Sequence, residues 1–219
     1  MAITAKQIID SGAHIGTLKR EAHPKTSKFW LGVNNSLVVL DPEKMAEQLE
    51  AIKTKVQECK KENKKILVVS EKKMFTDEVK KLCEDKGVFY LNQKVPGGFL
   101  SNFPTLMKRI DSLNEMKRFI DSESFEMLTK KEQAIYRRKY KKVDSIYSGV
   151  AKLSARPDLV IVVDGMQMKG FVKELKGLQN IDAVIMAGTN FDSYVGKYDV
   201  IANMFSYKAL NFMLTTILS

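Results

Sequence analysis

The sequence predicts an α/β fold: a three-layer sandwich around a mainly parallel sheet, with an antiparallel coiled-coil helical hairpin inserted into it. Three observations predict it. Short continuous apolar runs rich in β-branched residues recur along the chain, as in strands buried on both faces. Helical apolar stripes alternate with those runs, which implies right-handed strand–helix–strand crossovers. The alternation then stops between residues 101 and 156, where only helical spacing is found. On this reading residues 1–100 and 157–219 form the α/β domain and residues 101–156 the protruding hairpin.

The elements follow in order. Residues 29–40 read as two strands around an Asn34-Asn35 turn. Met45, Leu49, Ile52, Val56 and Cys59 step by four and three, one stripe of a helix over 42–62. Pro42 suits its first turn and Asp41 its N-cap. Residues 66–70 form a buried strand. Phe75, Val79 and Leu82 mark a second helix that ends at Gly87. Strands follow at 88–91 and, most strongly, at 159–164. A helix at 169–177, strands at 183–187 and 199–202, and a C-terminal helix at 204–218 complete the pattern.

Within the interruption, Phe103, Leu106, Ile110, Leu113 and Ile120 recur at heptad-like spacing, with Lys117 taking one slot. Tyr136, Tyr140, Val143, Tyr147 and Val150 step by four and three. Two helices of opposite direction, joined around residues 121–128, would bury these narrow stripes against each other. Such a strip is too narrow for a globular core of its own.

Composition limits the function. Hydrophobic content of 44% argues against wholesale disorder. No apolar run approaches the roughly 18 residues of a membrane span, and the N-terminus lacks the pattern of a secretory signal. The two cysteines, Cys59 and Cys83, fall on or beside apolar helix stripes and read as core thiols in a reducing interior. With only His14 and His23 as imidazoles, metal chemistry built on several histidines is nearly excluded, and no metal site is expected.

Charge is the abnormal quantity. The formal net charge is +10. Residues 1–100 contribute +5, residues 101–156 contribute +6, and residues 157–219 contribute −1. Between 129 and 142 stand Lys130, Lys131, Arg137, Arg138, Lys139, Lys141 and Lys142 against the single acid Glu132. A basic stretch so poor in acids is the footprint of a polyanion binder, whereas a solvated helix face would ordinarily carry compensating acids.

Two loops add to it. Residues 16–30 hold Lys19, Arg20, Lys25 and Lys28, with Thr17, Thr26 and Ser27 able to hydrogen-bond a phosphate backbone. His14 and His23 lie in this Gly/Pro-containing basic region and suit a surface or RNA contact better than ligation. Phe29 and Trp30 could stack on bases, although partial core burial explains them more simply. Residues 92–103 hold Asn92, Gln93, Lys94, Gly97, Gly98 and Asn102. Their glycine pair allows either close approach to a phosphate or a tight strand-to-helix turn.

The strand ends offer Ser70, Asp164 and Thr189, the usual place for a small-molecule site in an α/β sheet. No glycine-rich nucleotide fingerprint or phosphate loop accompanies them. Asp164, a lone acid at a strand end, reads as a turn or capping residue.

These segments resemble a known family. Ser11-Gly12-Ala13-His14-Ile15-Gly16, then Pro24-Lys25, then Asn92-Gln93-Lys94 with Gly97-Gly98, Leu100 and Asn102-Phe103 are similar to the bacterial-type second protein of the small ribosomal subunit. So are Ser124-Phe125, Leu128-Thr129-Lys130-Lys131-Glu132, the block from Arg156 to Asp164, and Gly188-Thr189-Asn190-Phe191-Asp192. The resemblance runs in order over nearly the whole chain. It implies an α/β domain with a protruding coiled coil, no enzyme activity and no cofactor.

The resemblance also implies a structural protein on small-subunit rRNA between head and body, supporting translation, in a cytoplasmic or organellar ribosome. Neighbouring ribosomal proteins, the large mRNA-binding one among them, are the implied partners, with no membrane and no small-molecule substrate. The rRNA contacts it implies are Lys19, Arg20, Lys25, Lys28, Asn92, Gln93, Lys94, Gly97, Gly98 and Asn102. To these the basic hairpin adds Lys108, Arg109, Arg137, Arg138, Lys139, Lys141 and Lys142.

The chain departs from the family pattern at Thr17, at Val95-Pro96 and at residues 201–209, where the family's acidic turn has become Ile-Ala-Asn-Met-Phe-Ser-Tyr-Lys-Ala. It therefore reads as a divergent member. Two other functions compete. One is a nucleotide- or phosphometabolite-binding α/β enzyme with its site at the strand ends. The other is a coiled-coil adaptor, which would need apolar surface along residues 103–150, where Lys and Arg dominate between the heptad positions.

Overall fold

The computed structural model describes residues 3–178, 180–192 and 198–219. The first helix, α1 (Ala5–Ser11), is closed at its start by a capping box in which Thr4 and Gln7 exchange bonds, and at its end by Gly12 at φ 72°. Three strands follow: β1 (Ile15–Leu18), β2 (Trp30–Asn34) and β3 (Leu37–Leu40). They form a separate antiparallel sheet in the order β1-β3-β2. Neither α1 nor β1 was expected, because each is too short to show a period. The hairpin turn falls one residue later than expected, at Asn35-Ser36, with φ of 47° and 64° at the two central positions. Positive φ at both matches the right-handed twist of the flanking strands.

Helix α2 (Pro42–Lys61) begins where expected, with the Asp41 side chain accepting from the Glu43 amide at 3.0 Å. Then come β4 (Ile66–Ser70), α3 (Thr76–Lys86) and β5 (Phe89–Leu91). The interruption contains α4 (Phe103–Ile120), the single turn α5 (Glu123–Glu126) and α6 (Lys130–Tyr147). After it run β6 (Leu159–Val163), α7 (Lys169–Lys176), β7 (Asp182–Ala187), β8 (Tyr198–Ile201) and α8 (Tyr207–Leu218).

Strands β4 to β8 make one five-stranded parallel sheet in the order β5-β4-β6-β7-β8. All five residues of β4 and of β6 are buried, as the unbroken apolar runs demanded. The register between these two strands is unbroken from Ile66 opposite Leu159 to Ser70 opposite Val163. Sheet growth reverses direction between β4 and β6.

Helices α4 and α6 run antiparallel, since Asn114 donates to the Ala151 carbonyl at 3.2 Å while Phe119 meets Tyr136 with ring centroids 5.0 Å apart. The lower half of the stripe (Phe103, Leu106, Ile110, Leu113 and Tyr147) belongs to the same buried cluster as the sheet. At the far end Phe119, Phe125 and Tyr136 form a small aromatic cluster, with centroids between 5.0 and 5.9 Å apart. No described helix is long and apolar enough to cross a membrane.

Candidate nucleic-acid interface

Helix α6 owes its start to a second capping box. Thr129 accepts from the Glu132 amide, and the Glu132 carboxylate accepts from the Thr129 amide at 3.0 Å and its hydroxyl at 2.7 Å. The Thr129 hydroxyl and amide thereby hold the Glu132 carboxyl below the usual carboxylate range. The one acid of the basic stretch is thus committed to the helix end. Lys130, Lys131, Arg137, Arg138, Lys139, Lys141 and Lys142 are all exposed. Among the described residues none of them forms an ion pair. Arg137 also lies over the Phe125 ring, 5.4 Å from its centroid. Lys108 and Arg109 are exposed on α4.

The N-terminal basic loop is organised around a residue far away in sequence. Thr189, fully buried, accepts from the Thr17 amide at 2.8 Å, and its hydroxyl lies 2.7 Å from that of Thr17. Its carbonyl accepts from the His23 amide at 2.8 Å and the Thr26 hydroxyl at 3.1 Å. Trp30 completes the knot by donating its indole N–H to Thr26 at 3.1 Å. The expectation that Thr17 and Thr26 hydrogen-bond a nucleic-acid backbone is therefore corrected: both are buried and their hydroxyls are used internally. Trp30 is half-buried against the core, and His14 is half-buried rather than a surface group.

Around this knot the cations point outward. Lys19 and Arg20 are exposed on one 3-10 turn, Lys25 and Lys28 on another. Lys25 reaches both carboxylate oxygens of Asp192 at 3.0 Å, and Lys28 lies 4.7 Å from the Phe29 centroid.

The glycine block is built differently from a phosphate cradle. Asn92 is buried and donates to the Thr76 carbonyl at 2.9 Å, which corrects its assignment as an RNA contact: the amide secures the start of α3. Gly98 adopts φ 75°, so the turn requires it. The amides of Leu100 and Ser101 both donate to the Glu174 carboxylate, at 2.7 and 2.6 Å, and the Val95 amide donates to Glu71 at 2.9 Å. The anions held by this turn are the chain's own. A cavity of about 310 Å³ beside Gly97 and Gly98 is lined by the same two glutamates, which repel phosphate. Gln93, Lys94, Gly97 and Asn102 remain exposed.

The strand-end site is filled. Ligands in sheets of this kind bind where growth reverses, here between β4 and β6. At that point Lys72 pairs with Asp164 at 2.6 Å, with side chains 10% and 8% exposed. The other Asp164 oxygen accepts from the amides of Met166 and Gln167 at 3.1 and 3.3 Å. Ser70 and Thr189 are fully buried. The residues that would serve a nucleotide enzyme are engaged within the fold instead, Ser70 and Asp164 by Lys72 and Thr189 by Thr17, and Asp164 is the turn residue its position suggested. Among the described residues no cluster of His, Cys, Asp and Glu could hold a metal ion.

One group of cations escaped the sequence reading. Lys169, Lys173 and Lys176 lie on one face of α7 by their four- and three-residue spacing, next to His23, Asn190 and Asp192. Net charge per segment hid them, because residues 157–219 sum to −1. Their helical spacing was the available signal.

Comparison with known proteins bears on all of this. The chain matches the family model of ribosomal protein S2 over residues 8–219. It is 33% identical over 215 residues to the small ribosomal subunit protein uS2 of Coprothermobacter proteolyticus, an alignment covering 98% of this chain and 80% of that protein.

Proposed function

The chain belongs to the ribosomal protein S2 family, and on that premise we propose that it binds small-subunit rRNA at the junction of head and body. It is a structural and non-enzymatic component of the ribosome. Neighbouring small-subunit proteins, including the large mRNA-binding protein, are its proposed protein partners. The observation that carries the RNA reading is the exposed, acid-poor cation array on α6, seven side chains without an ion pair among the described residues.

Lys19, Arg20, Lys25, Lys28, Gln93, Lys94, Gly97, Asn102, Lys108 and Arg109 are proposed as further contacts, and Gly98 serves the turn that presents its neighbours Gly97 and Asn102. Lysine and arginine bind phosphate oxygens without regard to sequence, so they set affinity and register rather than base choice. The hairpin, residues 101–156, is proposed as the arm that carries most of this charge.

The test is sedimentation with small subunits across salt. The protein should co-sediment at moderate salt and leave at high salt. If about six phosphates are neutralised, the log–log slope of affinity for small-subunit rRNA is roughly −4 to −6. A salt-independent interaction would overturn the reading.

A further inference from the structure

Beside the Thr189 knot lies a cavity of about 220 Å³ whose lining has two characters. Val172 and Phe191, 3% and 5% exposed, and half-buried Met166 give it an apolar floor. Lys169, Lys173 and Lys176 stand at its rim, all exposed. His23 and Asn190 add polar atoms. The His23 ring is fixed, since its Nδ1 accepts from the Lys25 amide at 3.3 Å while its backbone N–H is held by Thr189. Its Nε2 is the ring nitrogen left for a ligand. Among the described residues that line it the one carboxylate, Asp192, is engaged by Lys25. Positive charge therefore prevails at the rim.

This is smaller than the roughly 300 Å³ at which ordinary small-molecule pockets begin. It suits one flat ring with anionic groups on either side. RNA presents that combination wherever a single base leaves its stack: the ring needs an apolar surface and the flanking phosphates need cations. We propose that this cavity receives one unstacked nucleotide of the rRNA, its base on Met166, Val172 and Phe191 and its flanking phosphates on Lys169, Lys173 and Lys176. The proposal rests on the rRNA-binding reading above and adds a site to it. It also gives a role to the neutral C-terminal portion, whose lysines face the N-terminal basic loop.

The test places a photo-crosslinker at the rim, Lys176→p-benzoylphenylalanine, in the full chain assembled into small subunits. The expected product is a crosslink to one unpaired rRNA nucleotide. Lys173→Glu, a surface change, replaces a phosphate contact by a repulsive charge and should cut its yield by about fivefold or more. Met166→Trp, which fills the floor, should do the same. A crosslink to a ribosomal protein or to base-paired RNA, or no crosslink, would overturn the proposal. So would a crosslink to free AMP on the isolated chain with none to rRNA in the particle. Filter retention of small-subunit rRNA by the isolated variants separates the two failures: retained binding without the crosslink sinks the pocket alone, and lost binding in the wild type sinks the rRNA reading.

Discussion

The hydroxyl oxygens of Thr17 and Thr189 lie 2.7 Å apart although 172 residues separate them. This pair ties the strand that leads into the basic loop to the carboxyl end of β7. Replacing Thr189 by Ala removes the acceptor of the Thr17 amide and the partner of its hydroxyl, both buried, and leaves the Thr189 carbonyl bonds in place. Unsatisfied buried groups of this kind cost about 1–3 kcal/mol. Urea denaturation should show that loss, and an unchanged midpoint would mean the Thr189 hydroxyl contributes nothing to the knot.

Gly16 sits against the same threonine. A Cβ there would come within 2.8 Å of Thr189 Cγ2 and 3.0 Å of the Val38 carbonyl oxygen. Gly16→Ala is therefore expected to destabilise by roughly 1–3 kcal/mol through overpacking. Thr189→Ser deletes the nearer methyl and keeps the hydroxyl. In the double variant part of the loss should return, so the two substitutions should be non-additive in denaturation midpoint.

Much of this was legible in the sequence, and the gaps have physical causes. The strands β4, β6, β7 and β8 could be placed within a residue; β4, β6 and β7 rest on apolar runs that two-sided burial explains, and β8 on the shorter buried run Val200-Ile201. Helix α2 announced itself through Asp41-Pro42, and α6 through the four- and three-residue steps from Tyr136 to Tyr147. β1 was invisible, since its burial pattern depends on pairing with β3 and on Thr189 arriving from the far end of the chain. Asn92 and Glu174 show the same limit. A polar residue in a loop or on a helix face looks available until the fold supplies a partner, here the Thr76 carbonyl for Asn92 and the amides of Leu100 and Ser101 for Glu174 on α7.

Lys72 and Asp164 form the one ion pair in which both side chains are nearly buried among the described residues. Asp164 sits at φ 69°, a conformation costly for a non-glycine residue and held here by its turn and its partner. Lys72→Met leaves a buried carboxylate without its counter-charge, which costs about 3–5 kcal/mol. Asp164→Gly should cost less than Lys72→Met, because the freed Lys72 ammonium can reach water on its flexible stem and the φ 69° backbone is relieved. Equal losses in thermal denaturation would contradict the account.

Cys83 is fully buried, and burial pushes its thiol up from 9.0 to about 12, with the Glu84 carboxylate adding to the effect. The folded state then keeps a proton that the unfolded state releases. The stability this contributes is intact below pH 9 and declines as pH rises toward 12. Between pH 8 and about 10.5 the wild type should lose about 2 kcal/mol more than Cys83→Ala. The native thiol should also resist alkylation at pH 8, where rapid labelling would show that the site opens.

The charge on α6 should be separable from stability. Arg138, Lys139 and Arg137 are exposed, and among the described residues only Arg137 of the three has a ring contact, 5.4 Å from the Phe125 centroid. The triple reversal Arg137→Glu, Arg138→Glu and Lys139→Glu should therefore cost only about 0.5–1 kcal/mol in folding, mostly the lost contact with Phe125. Its effect on rRNA should be larger. Removing three phosphate contacts lowers the magnitude of the salt slope by about two to three, and the added negative charge weakens binding further at every salt concentration. A matched triple reversal on α3, Lys80→Glu, Lys81→Glu and Lys86→Glu, changes net charge equally from a different helix. If both variants lose small-subunit association to the same degree, the effect is bulk charge and α6 is not a contact surface. If the α6 variant alone falls off the particle, the arm is the docking element.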